Sequence, residues 1–147
     1  MIVLTAVTAA PLDVAAHLDA VSHPEVGATA AFIGTVRDND PEATGTVVRL
    51  DYSAHPEAER LLGEIAARCD SEDVRIAVSH RTGSLEVGGV AIVAAVSSVH
   101  RTDAFDVARE VVERVKAELP VWKRQVEADG TAEWVGLGSL AETGLSA

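Results

Sequence analysis

Cysteine is almost missing from this 147-residue chain, which carries only Cys69. A lone thiol excludes an internal disulfide and any metal centre built from clustered cysteines. Aromatic residues make up 3%, so the core has to be built from Val, Ala, Leu and Ile. No apolar run approaches the roughly 20 residues of a membrane-spanning helix. The N-terminal MIVLTAVTAAPLD has no basic residue ahead of its apolar stretch, which argues against a secretory signal. Positive charge is scarce as well. Twelve Lys and Arg stand against 23 Asp and Glu, for a formal net charge of -11. That is the wrong sign for broad nucleic-acid binding, and no basic stripe interleaved with aromatics offsets it. A reducing cytoplasm is the expected location.

What is present is concentrated. The length suits one domain with one real core, and 48% hydrophobic with 24% charged residues is ordinary for a globular protein. The chain has two lysines, Lys116 and Lys123, and both fall within His100 to Arg124, with Arg101, Arg109, Arg114 and Arg124. Half of the 12 basic side chains therefore occupy 25 residues. An acidic protein that gathers its cations in one place is expected to meet an anion there.

The pattern alternates strands and helices. Ile2 to Thr8 reads as a first strand, and Pro11 and Asp13 open a short helix. His17 on that helix has no ligand partner three or four residues away and reads as a surface histidine. Residues 27–36, GATAAFIGTV, form an apolar strand too continuous to be half exposed. Arg37 follows, suited either to face a ligand or to pair with Asp38 or Asp40. The loop DNDPEATG is rich in turn formers. Thr46 to Ala54 is the next strand, with Val48, Leu50 and Tyr52 on one face. A helix after Pro56 carries the stripe Leu61, Leu62, Ile65 and Ala66, with Cys69 near its end. A thiol there gains nothing from a helix N-terminus and reads as a quiet, partly buried side chain. Val74 to His80 reads as a half-buried strand, residues 81–89 as a turn-rich connection, and Val90 to Val99 as a central strand.

The next helix is capped by Thr102 or Asp103 and buries Phe105, Ala108, Val111, Val112 and Val115. Asp103 near its start and Lys116 near its end follow the helix dipole, which alone accounts for a lysine there. Pro120 stops it, and Val121 to Ala128, an Asp129-Gly130 turn and Thr131 to Val135 read as a hairpin. Residues 1–136 are taken as one domain and 137–147 as a flexible tail.

Several chemistries are poorly served. The five histidines are scattered, without metal-ligand spacing, so no metal site is expected. No G-x-S-x-G elbow or G-x-x-x-x-G-K loop is present. What remains is a cationic pocket. The His100-Arg101 pair sits where a strand yields to a helix N-terminus, a junction that offers N–H groups and a guanidinium to an anion. Lys116 and Lys123 flank the turn at the other end of the same helix. About 15 residues of helix span roughly 22 Å, too far for one pocket. Two copies packed antiparallel would bring opposite ends together, which makes homodimerisation an expectation.

The segments FIGTVRDND, LDYSAHPEAE, HRTGSLEVGGVAIVAAVSSVHRTDAF, VKAELPVWKRQ and DGTAEWV resemble, in the right order, the large subunit of molybdopterin synthase, the MoaE family. The resemblance covers most of residues 27–135. It implies an α+β fold of the α/β-hammerhead type, with antiparallel and mixed sheets and two main helices. It implies a heterotetramer, in which two large subunits dimerise and each binds a small ubiquitin-like subunit ending in a Gly-Gly thiocarboxylate. The implied substrate is cyclic pyranopterin monophosphate, precursor Z, and two sulfur transfers would build the dithiolene of molybdopterin. No cofactor would be bound by this chain, since the sulfur arrives on the partner.

The pocket implied by the resemblance comprises Arg37, His100, Arg101, Lys116, Lys123 and Arg124, with Thr35, Val36 and Gln125 as further members. Lys116 and Lys123 would be catalytic, with His100 and Arg101 supplied by the other large subunit. The arginines and His100 would hold phosphate and pterin. Lys116 would stabilise charge beside the incoming tail carbonyl, and Lys123 would assist proton transfer or hold substrate, with the division between the two lysines left open. Gln125 stands where the family usually has an acid, and Ser53 and His55 where it usually has Glu and Tyr. No Lys or Arg follows Arg124. A non-catalytic module that binds a phosphorylated ligand in the same pocket is the alternative reading.

Overall fold

In the computed structural model, which describes residues 1–41 and 43–135, the strands form two four-stranded sheets. The order along the chain is β1 (Ile2–Thr8), α1 (Val14–Ala20), β2 (Ala28–Thr35), β3 (Val47–Ala54), α2 (Ala58–Cys69), β4 (Val74–Arg81), β5 (Gly83–Glu86), β6 (Val90–Ser98), α3 (Arg101–Glu118), β7 (Val121–Glu127) and β8 (Ala132–Val135). The first sheet has the order β1-β4-β6-β2 and is mixed, because β1 runs parallel to β4 while the other pairs are antiparallel. The second, β5-β3-β7-β8, is antiparallel throughout. This is the α+β architecture with two main helices, α2 and α3, and the short α1 as a third. The expected tail at 137–147 lies outside the described residues.

The continuous apolar character of β6 has a direct cause. Ile92, Ala94 and Val96 face a core shared with Leu62 and Ile65 of α2 and Val111 and Val115 of α3. Ala95, on the other face, packs with Ala77 and Val21 at the end of α1. A strand covered on both faces needs no polar alternation. Burying each Leu, Ile or Val side chain here contributes roughly 1.5–3 kcal/mol. A smaller cluster of Val36, Val47, Leu50, Leu85 and Ala91 joins the first sheet to the second.

Several expectations fail for reasons of register and cover. Strand β2 is the sheet edge, and Phe32 and Ile33 are exposed at 36% and 42%, so it is half exposed despite its apolar run. β4 is more buried than expected, because Ala77 and Ser79 are covered from the α1 side. Val48 is exposed and Val47 buried, because an irregularity between Val47 and Arg49 breaks the alternation. Phe105 is exposed, and Ala104 takes the inward position at the start of α3. That helix begins two or three residues earlier than its Thr and Asp suggest, with His100 as N-cap and no side-chain cap hydrogen bond. Residues 81–89 hold a short strand, β5, entered through Gly83 at φ 91°.

His17 is the clearest reversal. It is 4% exposed, its Nδ1–H donates to the Asp13 carbonyl at 2.6 Å, and its Nε2 accepts from the Ser79 hydroxyl at 2.7 Å. The polar partner comes from β4, 62 residues away, which is why local spacing could not reveal it. No helix among the described residues is long and apolar enough to cross a membrane.

Candidate active site

The turn after α3 builds the site. Leu119 caps the helix, Pro120 prevents another helical turn, and the Val121 N–H donates back to the Leu119 carbonyl at 2.8 Å. The Pro120 carbonyl also accepts from the His55 N–H at 3.0 Å, tying the turn to the end of β3. The chain then enters β7, where Tyr52 of β3 stands opposite Lys123. As a result Lys116, from the last turn of α3, and Lys123, from β7, line one cavity of about 600 Å³ between the two sheets.

The cavity is apolar at its base and charged at its rim. Val47, Leu50 and Leu119 lie at the base, and Lys116 Nζ sits 6.0 Å from the centre of the Phe32 ring, within cation–π range. Asp40 Oδ2 stands 4.0 Å from both Lys123 Nζ and Arg37 Nη2. Arg37 lines the cavity and approaches Asp40. Its side chain is 68% exposed, so that pair adds little stability and leaves the guanidinium available to a ligand. Behind the loop, the Glu127 carboxylate accepts from the Gly45 N–H at 2.9 Å and anchors residues 44–45 to β7.

Thr35 and Gln125 line the cavity too, and Gln125 is buried. Val36 does not line it. Val36 is 3% exposed in the adjoining core, with its N–H on the Gly89 carbonyl at 2.9 Å. Arg124 does not line it either. Alternation along β7 sends Arg124 to the opposite face from Lys123, where its Nη2 donates to Asp51 Oδ2 at 2.8 Å and its guanidinium lies 5.5 Å from the Trp134 ring centre. Burial alone would raise the Asp51 carboxyl. Hydrogen bonds from Arg49, Ser84 and Arg124 outweigh it and hold the group well below the usual carboxylate range. Among the expected site residues, Val36 and Arg124 thus do not line this cavity.

His100 and Arg101 are exposed at the far end of α3. From Arg101 to Lys116 the helix advances roughly 22 Å at 1.5 Å per residue. One chain does not bring the two ends into one pocket. Cys69 is 4% exposed, and burial together with the nearby Glu110 pushes its thiol up to about 11. It is a packing residue, not a nucleophile.

Among the cavity residues that the sequence reading did not name as site residues are Phe32, Tyr52 and His80. A signal for His80 existed. It continues the alternating inward series Val74, Ile76 and Val78, so period-2 counting aims it at the interior. Among the described residues, no three His, Cys, Asp or Glu side chains are grouped to hold a metal ion.

The fold is an α+β domain in which both lysines and Arg37 line a cavity between the two sheets. The model of one family, described as "MoaE protein", matches residues 7–118, and the chain belongs to that family. It is 46% identical over 129 residues to molybdopterin synthase catalytic subunit 1 of Mycobacterium tuberculosis, covering 86% of each chain. The crystal structure of molybdopterin synthase from Staphylococcus aureus superposes with a TM-score of 0.82 at 28% identity, over 88% of this chain and 95% of that one. A complex of subunits 1 and 2 of the molybdopterin-converting factor of Helicobacter pylori shares the fold, with a TM-score of 0.72 at 16% identity over 91% and 90% of the chains.

Proposed function

We propose that this chain is the catalytic subunit of a molybdopterin synthase, acting in molybdenum cofactor biosynthesis. It transfers sulfur from the thiocarboxylated C-terminus of a small ubiquitin-like subunit to cyclic pyranopterin monophosphate. The observation that carries the reading is the convergence of Lys116 and Lys123, the chain's only lysines, on one cavity. Family membership and relatives named catalytic subunits support it, and that name itself implies a companion subunit.

The chemistry follows from the cavity. A thiocarboxylate tail and a phosphorylated pterin are both anions, and Arg37, Lys116 and Lys123 offset that charge. Lys116, above the Phe32 ring, stabilises charge developing on the tail carbonyl. Lys123, beside Asp40, holds the substrate or relays a proton. No cofactor is needed from this chain, because the sulfur arrives on the partner.

The active form is a homodimer within a heterotetramer. His100 and Arg101 serve the pocket of the second copy, since the length of α3 keeps them from their own. The unpaired edge of β2 with exposed Phe32 and Ile33, and Val99 and Phe105 near the start of α3, give that second copy an apolar surface to cover.

The test is reconstitution with thiocarboxylated small subunit and precursor Z, followed by assay for the dithiolene product. Stoichiometric appearance of the dithiolene with loss of the thiocarboxylate is the expected result. Tight binding of the pterin without any sulfur transfer would instead identify a non-catalytic binding module.

A further inference from the structure

His80 occupies the cavity wall, yet the charges invoked above make no use of it. Its Nδ1 lies 2.8 Å from the Arg81 carbonyl oxygen. A carbonyl only accepts, so Nδ1 carries the proton, and in the neutral ring Nε2 keeps the lone pair. The ring is fixed a second time by an edge-on contact with Tyr52, 5.2 Å between centres at 73°. Burial lowers the imidazole pKa from its ordinary value; the Arg81 carbonyl works against this, and the nearby Lys116 charge adds to the lowering. The ring is therefore neutral at pH 7.

The cavity holds few other proton acceptors. Lys116, Lys123 and Arg37 are donors without a lone pair when charged. Asp40 is engaged by two of those cations. Burial raises the Tyr52 phenol, which stays protonated. The backbone neighbours of His80, Val7 and Ile92, do not titrate.

We propose that His80 is a further catalytic residue, the general base that activates water to release the small subunit's tail once its sulfur has bonded to the pterin. The inference rests on the sulfur-transfer reading above. After the thiocarboxylate sulfur attacks a substrate carbon, that sulfur still joins the pterin to the tail's acyl carbon. Water must then bond to the acyl carbon while the acyl C–S bond breaks. His80 Nε2 takes the water proton, and the C–S electron pair leaves on sulfur. The proton on His80 passes to the departing thiolate, giving a thiol on the pterin, and the new carboxylic acid of the tail loses its proton to solvent to become a carboxylate. No oxidant or reductant is required. Lys116 stabilises the oxyanion in the same step.

Single-turnover assays of the reconstituted complex, comparing wild type with His80→Gln, test this. Turnover in His80→Gln falls about 10²–10⁴-fold, while tail binding by calorimetry stays within threefold. Mass spectrometry finds the small subunit joined to the pterin accumulating in the variant. Wild-type turnover declines on the acid side, at a pH below the ordinary imidazole range because burial lowers the His80 pKa, and that limb is missing in the variant. Unchanged turnover, an unchanged acid limb, or a stalled free thiocarboxylate overturns the role of His80. If the variant does not fold, nitrogen NMR of the wild-type imidazoles decides. A neutral ring protonated on Nδ1 at pH 7 upholds the proposal, and a charged ring or one protonated on Nε2 overturns it. Absence of dithiolene from wild type would be a failure of the sulfur-transfer reading itself and is distinguished by that control.

Discussion

Lys123 and Arg124 are adjacent in sequence and lie on opposite faces of β7, one lining the cavity and the other bound to Asp51 behind it. The pair therefore separates into one residue that faces the cavity and one that is bound within the sheet.

Arg124→Ala is expected to cost stability, not turnover. It removes a charged hydrogen bond worth about 1.5–3 kcal/mol, which lowers the melting temperature by several degrees in a domain of this size. Asp51 keeps Arg49 and Ser84 as partners. The stability that Asp51 contributes is complete above the ordinary carboxylate pKa and is lost as the pH falls through its lowered folded value. Thermal melts from pH 7 to pH 3 should show a shallower acid loss in the variant. A hundredfold fall in product formation by well-folded Arg124→Ala would return that residue to the site.

Lys116→Ala and Lys123→Ala are expected to do the reverse. Neither lysine is buried, so each contributes only some tenths of a kcal/mol to folding. Charge stabilisation of a developing oxyanion, once bound substrate and tail exclude water, is worth roughly 3–4 kcal/mol, or about 10²–10³ in rate. Both variants should melt within a few degrees of wild type, bind the small subunit, and lose at least about a hundredfold in product formation. Lys→Arg should not restore full activity, because a planar guanidinium does not reproduce a compact ammonium. Near-normal rates in both alanine variants would remove the basis for calling this an enzyme.

Arg101 is expected to act across a dimer interface. Coexpression of inactive Arg101→Ala with inactive Lys116→Ala should return about a quarter of wild-type activity, since half of the dimers are mixed and each has one intact pocket. If both residues served the same chain's pocket, coexpression would restore nothing.

Cys69 is expected to be dispensable. With its thiol pushed up to about 11, it is not a thiolate at neutral pH and is a poor carrier of sulfur. Cys69→Ser places a hydroxyl in the core and should cost about 1–3 kcal/mol of stability while leaving most of the turnover. Loss of turnover in the folded variant would sink a mechanism in which sulfur arrives on the partner's tail.

Much of the fold was legible. Every strand but β5 follows from apolar runs or alternation, and α2 and α3 from their stripes and from the proline beyond α3. The errors share one cause. His17, Val48, Phe105 and the exposure of β2 were each judged from near neighbours, and each was decided by a distant one or by its absence. Ser79 comes to His17 from β4. The irregularity in the β3–β7 pairing turns Val48 outward. Among the described residues, β2 has a strand on one side only.

By itself the sequence determined the inventory and the local geometry. It offers two lysines and one thiol, helices and strands set by the 3.6 and 2.0 periods, and a proline turn that returns the chain from Lys116 toward Lys123. Only the tertiary structure decided which faces meet. The β3–β7 register stands Tyr52 opposite Lys123, and the packing of α3 brings Lys116 to the same cavity, where His80 joins them. It also turned Arg124 to the far side. The physical reason is that periodicity is a property of the bonded chain and is written residue by residue. The face a side chain presents to a distant partner depends on strand register and on what covers the sheet, both set by contacts between residues far apart in sequence.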